Sequence, residues 1–426
     1  MSQNATDGET GPAAATGRPR RASERAARRR RARLLVAAYV LGIVATLTAA
    51  EALRTLGDAA ERPGLAAFYA APAAAELTGA PGTIIRSEPL AGVPLASRGW
   101  RIMYRSTDLH GTPIAVTGIV VTPLRPVMGE RTVLAWGHPT TGTSPDCAPS
   151  RSDDPFLGIE GLRLMLDRGY TVVATDYAGM GTAGPDSYLV GVTAAHSVLD
   201  GVRAAQAIEA AAAGDRVVLW GHSQGGQAVL FAAEQASAYA PELEIAAVAA
   251  AAPAADLTAL MGSHLDDLSG VTIGSYAFAA YADVYGPTMP GAELDTVLTP
   301  EAIAQLPEMN RLCLLPELDR LHAIAEPLVG DFFAHDPTAI EPWAGLLEEN
   351  SAGRTAIDVP LFVAQGADDR LVLPADTAEF VARERSLGVD VTETVVPGAT
   401  HSTIAYLALP ALDAWLDRVE QRASGG

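Results

Sequence analysis

Val217-Val218-Leu219-Trp220-Gly221-His222-Ser223-Gln224-Gly225-Gly226 carries a short apolar run into a Gly-x-Ser-x-Gly turn, and the alanine-rich segment after it, Gly225 to Tyr239, has a helical composition. An apolar run of this length bounded by glycine reads as a buried strand, so the serine sits where a strand turns into a helix. The residue types follow from the chemistry. A nucleophilic serine on a tight, strained turn needs neighbours without bulk, so that its hydroxyl projects and the helix amino terminus faces the charge developing on the attacked carbonyl. That context favours a nucleophile over an ordinary glycine turn.

Outward from the motif, short apolar runs recur at Thr132 to Trp136, Thr171 to Ala174, Ile245 to Ala250, Leu361 to Ala364 and Val389 to Val396. Between them lie stretches with helical character: Leu157 to Arg168, Thr193 to Ala213, Pro374 to Ser386 and Ile404 to Glu420. Such alternation predicts an α/β fold, a mostly parallel sheet with helices on both faces. Arg101 to Ser106 and Ile114 to Val121, joined by the turn-forming Asp108-Leu109-His110-Gly111, add an antiparallel hairpin at one side. Pro63 to Pro94 is aperiodic and reads as a linker or a surface-wrapped segment. Pro253 to Asp358 shows no obvious strand, which predicts a helical cap inserted at about 254–357 of a catalytic domain spanning 60–426. Within it, Tyr276, Phe278, Tyr281 and Tyr285 are spaced either to pack the cap or to line an acyl tunnel.

A serine hydroxyl needs a base to take its proton, and in this fold the chain order is serine, acid, histidine. Of the histidines after Ser223, His264, His322 and His335 fall in the expected cap, whereas His401 follows the last predicted strand in Pro397-Gly398-Ala399-Thr400-His401 and is the natural base. For the acid, the strand ending at Ala364 runs into Gln365-Gly366-Ala367-Asp368-Asp369-Arg370-Leu371-Val372; the Gly-x-x-Asp-x-x-Val spacing selects Asp369 over Asp368. One oxyanion donor is expected from the backbone N–H of Gln224, next to the nucleophile. The second should come from Gly137-His138-Pro139-Thr140-Thr141-Gly142; Pro139 has no N–H, which leaves Thr140 or Thr141. No His-Glu-x-x-His, phosphate loop or dinucleotide fingerprint is present, so metal and nucleotide chemistry find no support in the motifs.

The chain has 426 residues, 49% of them hydrophobic, enough for a sizeable core. Its net charge of −20 hides an asymmetry: residues 1–33 hold nine arginines against Asp7, Glu9 and Glu24, so the remainder is strongly acidic. An acidic body repels phosphate backbones, which argues against a nucleic-acid partner. The basic segment 1–33 leads into the apolar stretch Leu34 to Ala50, the order of a signal peptide or signal anchor over 34–52 with the arginines on the cytoplasmic side. Ala50-Glu51-Ala52 offers a cleavage site, and retention would instead tether the protein to a membrane through residues 34–50. Either way the catalytic body is expected outside. Two cysteines permit one disulfide and rule out a four-thiolate zinc site.

Several strings together resemble the secretory lipase family of the Candida lipase A type, within the α/β-hydrolases. They are Phe68-Tyr69, Pro81-Gly82-Thr83, Cys147-Ala148-Pro149-Ser150, Thr175-Asp176-Tyr177 with Gly179 and Gly181, and Gly221 to Gly226. The resemblance spans roughly residues 65 to 422. It implies an exported serine ester hydrolase with a cap over an acyl pocket, acting on a small-molecule or lipid acyl ester and needing no cofactor. It also implies Ser223, Asp369 and His401 as the triad, and a bridge from Cys147 to a cap cysteine, here Cys313, as fits an oxidising compartment. Two rivals stand beside it. A serine peptidase acting on small peptides would need an acidic pocket in the cap, for which Asp266, Asp267, Glu348 and Glu349 are available. A catalytically silent binding protein on the same scaffold is the other, and the intact serine, acid and histidine argue against it.

Overall fold

A computed structural model describes residues 64–424 together with positions 30, 31, 35, 39 and 42. The chain divides into two units, Met1–Ala66 and Ala67–Gly426, and the second is described below. The basic segment 1–33 and the apolar segment 34–52 lie outside the described residues apart from those five positions. Among the described residues no helix is long and apolar enough to cross a membrane.

Nine strands form one sheet: β1 (Ile84–Pro89), β2 (Ser97–Thr107), β3 (Pro113–Pro123), β4 (Arg131–Gly137), β5 (Thr171–Thr175), β6 (Ala213–His222), β7 (Glu244–Ala251), β8 (Leu361–Gly366) and β9 (Val391–Val396), in the order β1-β2-β3-β5-β4-β6-β7-β8-β9. β1, β2 and β3 pair antiparallel, as do β3 and β5; from β5 to β9 every pairing is parallel. The side-chain alternation of a strand sorts β6 between two cores. Val217 and Leu219 join one, with α2 (Gly191–Gln206), α3 (Gln224–Tyr239) and α9 (Pro374–Ser386). Val218 and Trp220 join the other, with α1 (Leu162–Arg168) and α10 (Leu409–Ser424).

Between β7 and β8 the chain forms α4 (Leu257–Ser263), α5 (Leu268–Tyr285), α6 (Pro300–Met309), α7 (Leu318–Ala325) and α8 (Trp343–Glu349), with one isolated bridge between Leu298 and Phe333. Local chemistry sets three of these starts. Asp256 and Asp267 accept from the backbone N–H groups of Ala259 and Gly270, and Thr299 caps α6 just before Pro300. Tyr276, Phe278, Tyr281 and Tyr285 of α5 are all buried. Phe278 meets Phe333 and Trp343 edge-to-face at 5.4 and 5.3 Å. These aromatics pack the inserted segment; burying each stabilises it by about 2 kcal/mol.

Three expectations from the sequence are corrected. The segment Pro63 to Pro94 is no mere linker, because Ile84–Pro89 forms the edge strand β1. The helix expected from Leu157 starts only at Leu162, after Gly161 at φ 91°. The helix expected over Ile404 to Glu420 is broken after Leu407 and resumes at Leu409.

Candidate active site

The parallel strands deliver their loops to one end of the sheet, where the carboxyl ends of α/β strands hold ligands. The loop after β4 carries Thr140 and Thr141, the turn after β6 Ser223, the loop after β8 Asp369 and the loop after β9 His401.

Ser223 stands on that turn at φ 57° and ψ −118°, a strained backbone for a residue with a Cβ. Its N–H donates to Ala251 O, and its carbonyl accepts from Gln227 N and Ala254 N. The flanking glycines are required by space: a Cβ on Gly225 would lie 1.9 Å from the Gly137 carbonyl oxygen, and one on Gly221 would lie 2.1 Å from the Gly225 carbonyl oxygen. Both obstacles are backbone and cannot turn aside.

His401 Nε2 lies 2.9 Å from Ser223 Oγ, and His401 Nδ1 lies 2.9 Å from Asp369 Oδ2. A carboxylate only accepts, so Nδ1 carries the proton and Nε2 is left to accept from the serine. Asp369 is buried, and its Oδ1 accepts from the backbone N–H groups of Leu371 and Val372 at 2.9 and 3.0 Å. Asp368 is exposed. Of the oxyanion candidates, Gln224 and Thr140 line a narrow cleft of about 10 Å³ together with Ser223, which Leu260 and Ile273 of the inserted helices also line. Thr141 does not line it. Thr140 Oγ1 is held by Tyr188 Oη at 2.7 Å, while Thr141 O accepts from Leu314 N.

A positioning group was not foreseen from the sequence. His222 Nε2 donates to the His401 carbonyl at 2.9 Å, and its Nδ1 meets the buried carboxyl of Glu160 at 3.0 Å. With Nε2 carrying a hydrogen, a second proton must lie between Nδ1 and Glu160, since two acceptors would otherwise face each other. No spacing rule ties Glu160 to the motif; a carboxylate set in the Gly158-Ile159-Glu160-Gly161 turn was the only signal.

Cys147 and Cys313 are joined in a disulfide. Asp267 caps α5 and holds His264, Asp266 and Glu349 are exposed, and the exposed Glu348 faces Arg354. None of the four lines the cleft at Ser223. Among the described residues no group of three or more His, Cys, Asp or Glu side chains is placed to hold a metal ion.

A mostly parallel sheet flanked by helices, with a strained serine on the turn after a central strand, defines an α/β-hydrolase. The chain belongs to the secretory lipase family, whose model matches residues 159–425. Lipase A of Arthroderma benhamiae is 26% identical over 85% of this chain and 81% of its own length. A Mycobacterium tuberculosis protein named as a probable inactive lipase is 25% identical over 82% of this chain and 80% of its own. Among solved structures, Candida antarctica lipase A in its closed state superposes with a TM-score of 0.68 at 20% identity, over 80% of this chain and 82% of that one. The protein is thus an ester hydrolase by family and a lipase-like α/β-hydrolase by fold.

Proposed function

We infer that the protein is an exported serine hydrolase of carboxylic, lipid-type esters working through an acyl-enzyme. Ser223 Oγ attacks the acyl carbonyl as His401 Nε2 takes its proton, and Asp369 orients the imidazole and stabilises the imidazolium that forms. The N–H groups of Gln224 and Thr140 hold the oxyanion; Thr140 is preferred to Thr141 because it shares the cleft of Ser223. The C–O bond then breaks, the leaving alkoxide takes the proton from His401, and water deacylates Ser223 with the same base. The helices between β7 and β8 act as the cap over the acyl site, within a catalytic domain of 60–426.

The observation that carries this reading is the unbroken line Ser223, His401, Asp369, with both links at 2.9 Å. It speaks against a silent scaffold, even though one relative is named as inactive. Export is supported by the arginine-rich start before an apolar stretch, by the disulfide and by the family's secretory character.

The test is a panel of p-nitrophenyl esters of rising acyl length and aminoacyl p-nitroanilides, run on residues 60–426 and on the Ser223→Ala variant. Ester turnover should fall by about four orders of magnitude or more in the variant. Turnover confined to the anilides would make the protein a peptidase, and undiminished ester turnover in the variant would remove Ser223 from its role.

A further inference from the structure

Leu371 and Val372 share one peptide unit, and both of its polar ends are bound. Its N–H donates to Asp369 Oδ1 at 3.0 Å, and its carbonyl oxygen accepts from His264 Nε2 at 2.8 Å. A peptide is planar, so holding its oxygen sets the direction in which its N–H points. The acid of the triad is thus aimed by a turn that is itself gripped from outside, by a histidine of the segment inserted between β7 and β8.

His264 ends α4 and is buried. Its Nδ1 meets Asp267 Oδ2 at 2.6 Å, while Asp267 Oδ1 caps α5 by accepting from Gly270 N at 3.0 Å. Gly270 makes room for this close turn: a Cβ there would lie 1.7 Å from the His264 carbonyl oxygen. Nε2 faces a carbonyl, which only accepts, and so carries a hydrogen; Nδ1 faces a carboxylate, so a second proton lies between the two. A proton shared at Nδ1 polarises the ring and strengthens the bond that Nε2–H donates to Leu371 O. The contacts run without a gap from Asp267 through His264, the 371–372 peptide, Asp369 and His401 to Ser223 Oγ, at 2.6, 2.8, 3.0, 2.9 and 2.9 Å. The loop of the base is gripped in the same manner, since His222, paired with Glu160 through Nδ1, donates its Nε2–H to the His401 carbonyl.

We propose that His264, backed by Asp267, is a positioning residue for the triad acid: it fixes the 371–372 peptide and, through that peptide, the carboxylate of Asp369. The inserted segment then supplies part of the catalytic alignment besides contributing to the cleft. The proposal rests on the reading of Ser223, His401 and Asp369 as the triad. Neither His264 nor Asp267 lines the cleft at Ser223. Their effect therefore falls on the imidazolium that forms at His401 during reaction and not on the bound ester, so it belongs in kcat and not in KM.

The test compares the full-length protein with His264→Phe, which keeps a ring and loses the donor, and with His264→Gln, whose amide N–H can reach the same carbonyl, on p-nitrophenyl butyrate. His264→Phe should lower kcat about tenfold or more with KM within about twofold, and His264→Gln should recover most of that loss. A double-mutant cycle with Asp369→Ala separates positioning from packing. Once the carboxylate is gone there is nothing left to aim, so adding His264→Phe should change kcat by less than about twofold. The full loss in that background, or an effect confined to KM, overturns the proposal and makes His264 a packing residue of the inserted segment. Undiminished turnover in Asp369→Ala alone would instead sink the triad reading, and the proposal with it. Should His264→Phe fail to fold, seen as a lost near-ultraviolet dichroism signal, Asp267→Asn decides. Asparagine caps a helix as well as aspartate does but shares no proton with the ring, so kcat should fall several-fold at unchanged KM. An unchanged kcat in that variant overturns the proposal.

Discussion

Two adjacent aspartates, Asp368 and Asp369, meet opposite fates because only one can be buried without penalty. Asp369 Oδ1 closes a turn by accepting two backbone N–H groups, which fixes the carboxylate and aims Oδ2 at His401. Asp368 points to solvent. Asp369→Asn should therefore lower kcat by about three to four orders of magnitude by favouring the wrong imidazole tautomer, whereas Asp368→Asn should stay within about twofold; steady-state kinetics on one p-nitrophenyl ester separates them. Local pattern pointed to each of the three side chains that meet here: Ser223 by its glycines, Asp369 by the spacing to Gly366 and Val372, His401 by its place after the last strand. Pro139 narrowed the second donor to two threonines and went no further, because the choice depends on the cleft and not on the chain. The Glu160–His222 support and the hold of Tyr188 on Thr140 were invisible for the same reason, since they join segments 62 and 48 residues apart.

At the level of elements, the buried parallel strands were legible as apolar runs, and α9 was legible end to end. β1 was not: its residues are at best half-buried at the sheet edge, and Ile84-Ile85-Arg86-Ser87-Glu88-Pro89 shows no clean alternation. Two carboxyls that approach Gly353, one from α9 and one from α3, have a measurable signature. Glu384 of α9 is fully buried with neither carboxylate oxygen paired, and Glu234 of α3 accepts from Gly353 N. Burial, with a contribution from each other's neighbourhood at Glu384, pushes both carboxyls up to about 7. A carboxyl raised on folding holds a proton that the unfolded chain has already released, so its stabilising share is full below the unfolded value and fades as pH rises through the folded one. Thermal melts should accordingly show stability falling between about pH 5 and pH 7. Glu384→Gln, which cannot ionise, should flatten that slope and be the more stable protein at pH 8 by on the order of 2 kcal/mol. A variant with the wild-type slope would show that Glu384 is solvated.

For the molecule as a whole, the Cys147–Cys313 bridge closes a loop with a sequence separation of 166. In the chain-entropy model a closure of this length stabilises the fold by about 5 kcal/mol, an upper estimate. Reductant, or Cys313→Ser, should lower the melting temperature in calorimetry, and an unchanged melt would mean that the bridge does not form in solution. The family resemblance, and not the spacing of the two cysteines, pointed to this pair; a separation that large carries no local signal.

The bridge also ties the loop that follows β4 to the inserted helices, alongside the bond from Leu314 N to Thr141 O. The two pieces are therefore one inheritable unit in protein engineering. A chimera that takes residues 254–357 from a relative receives a lid cut to fit someone else's doorframe, unless the donor's counterpart of residues 140–147 travels with it.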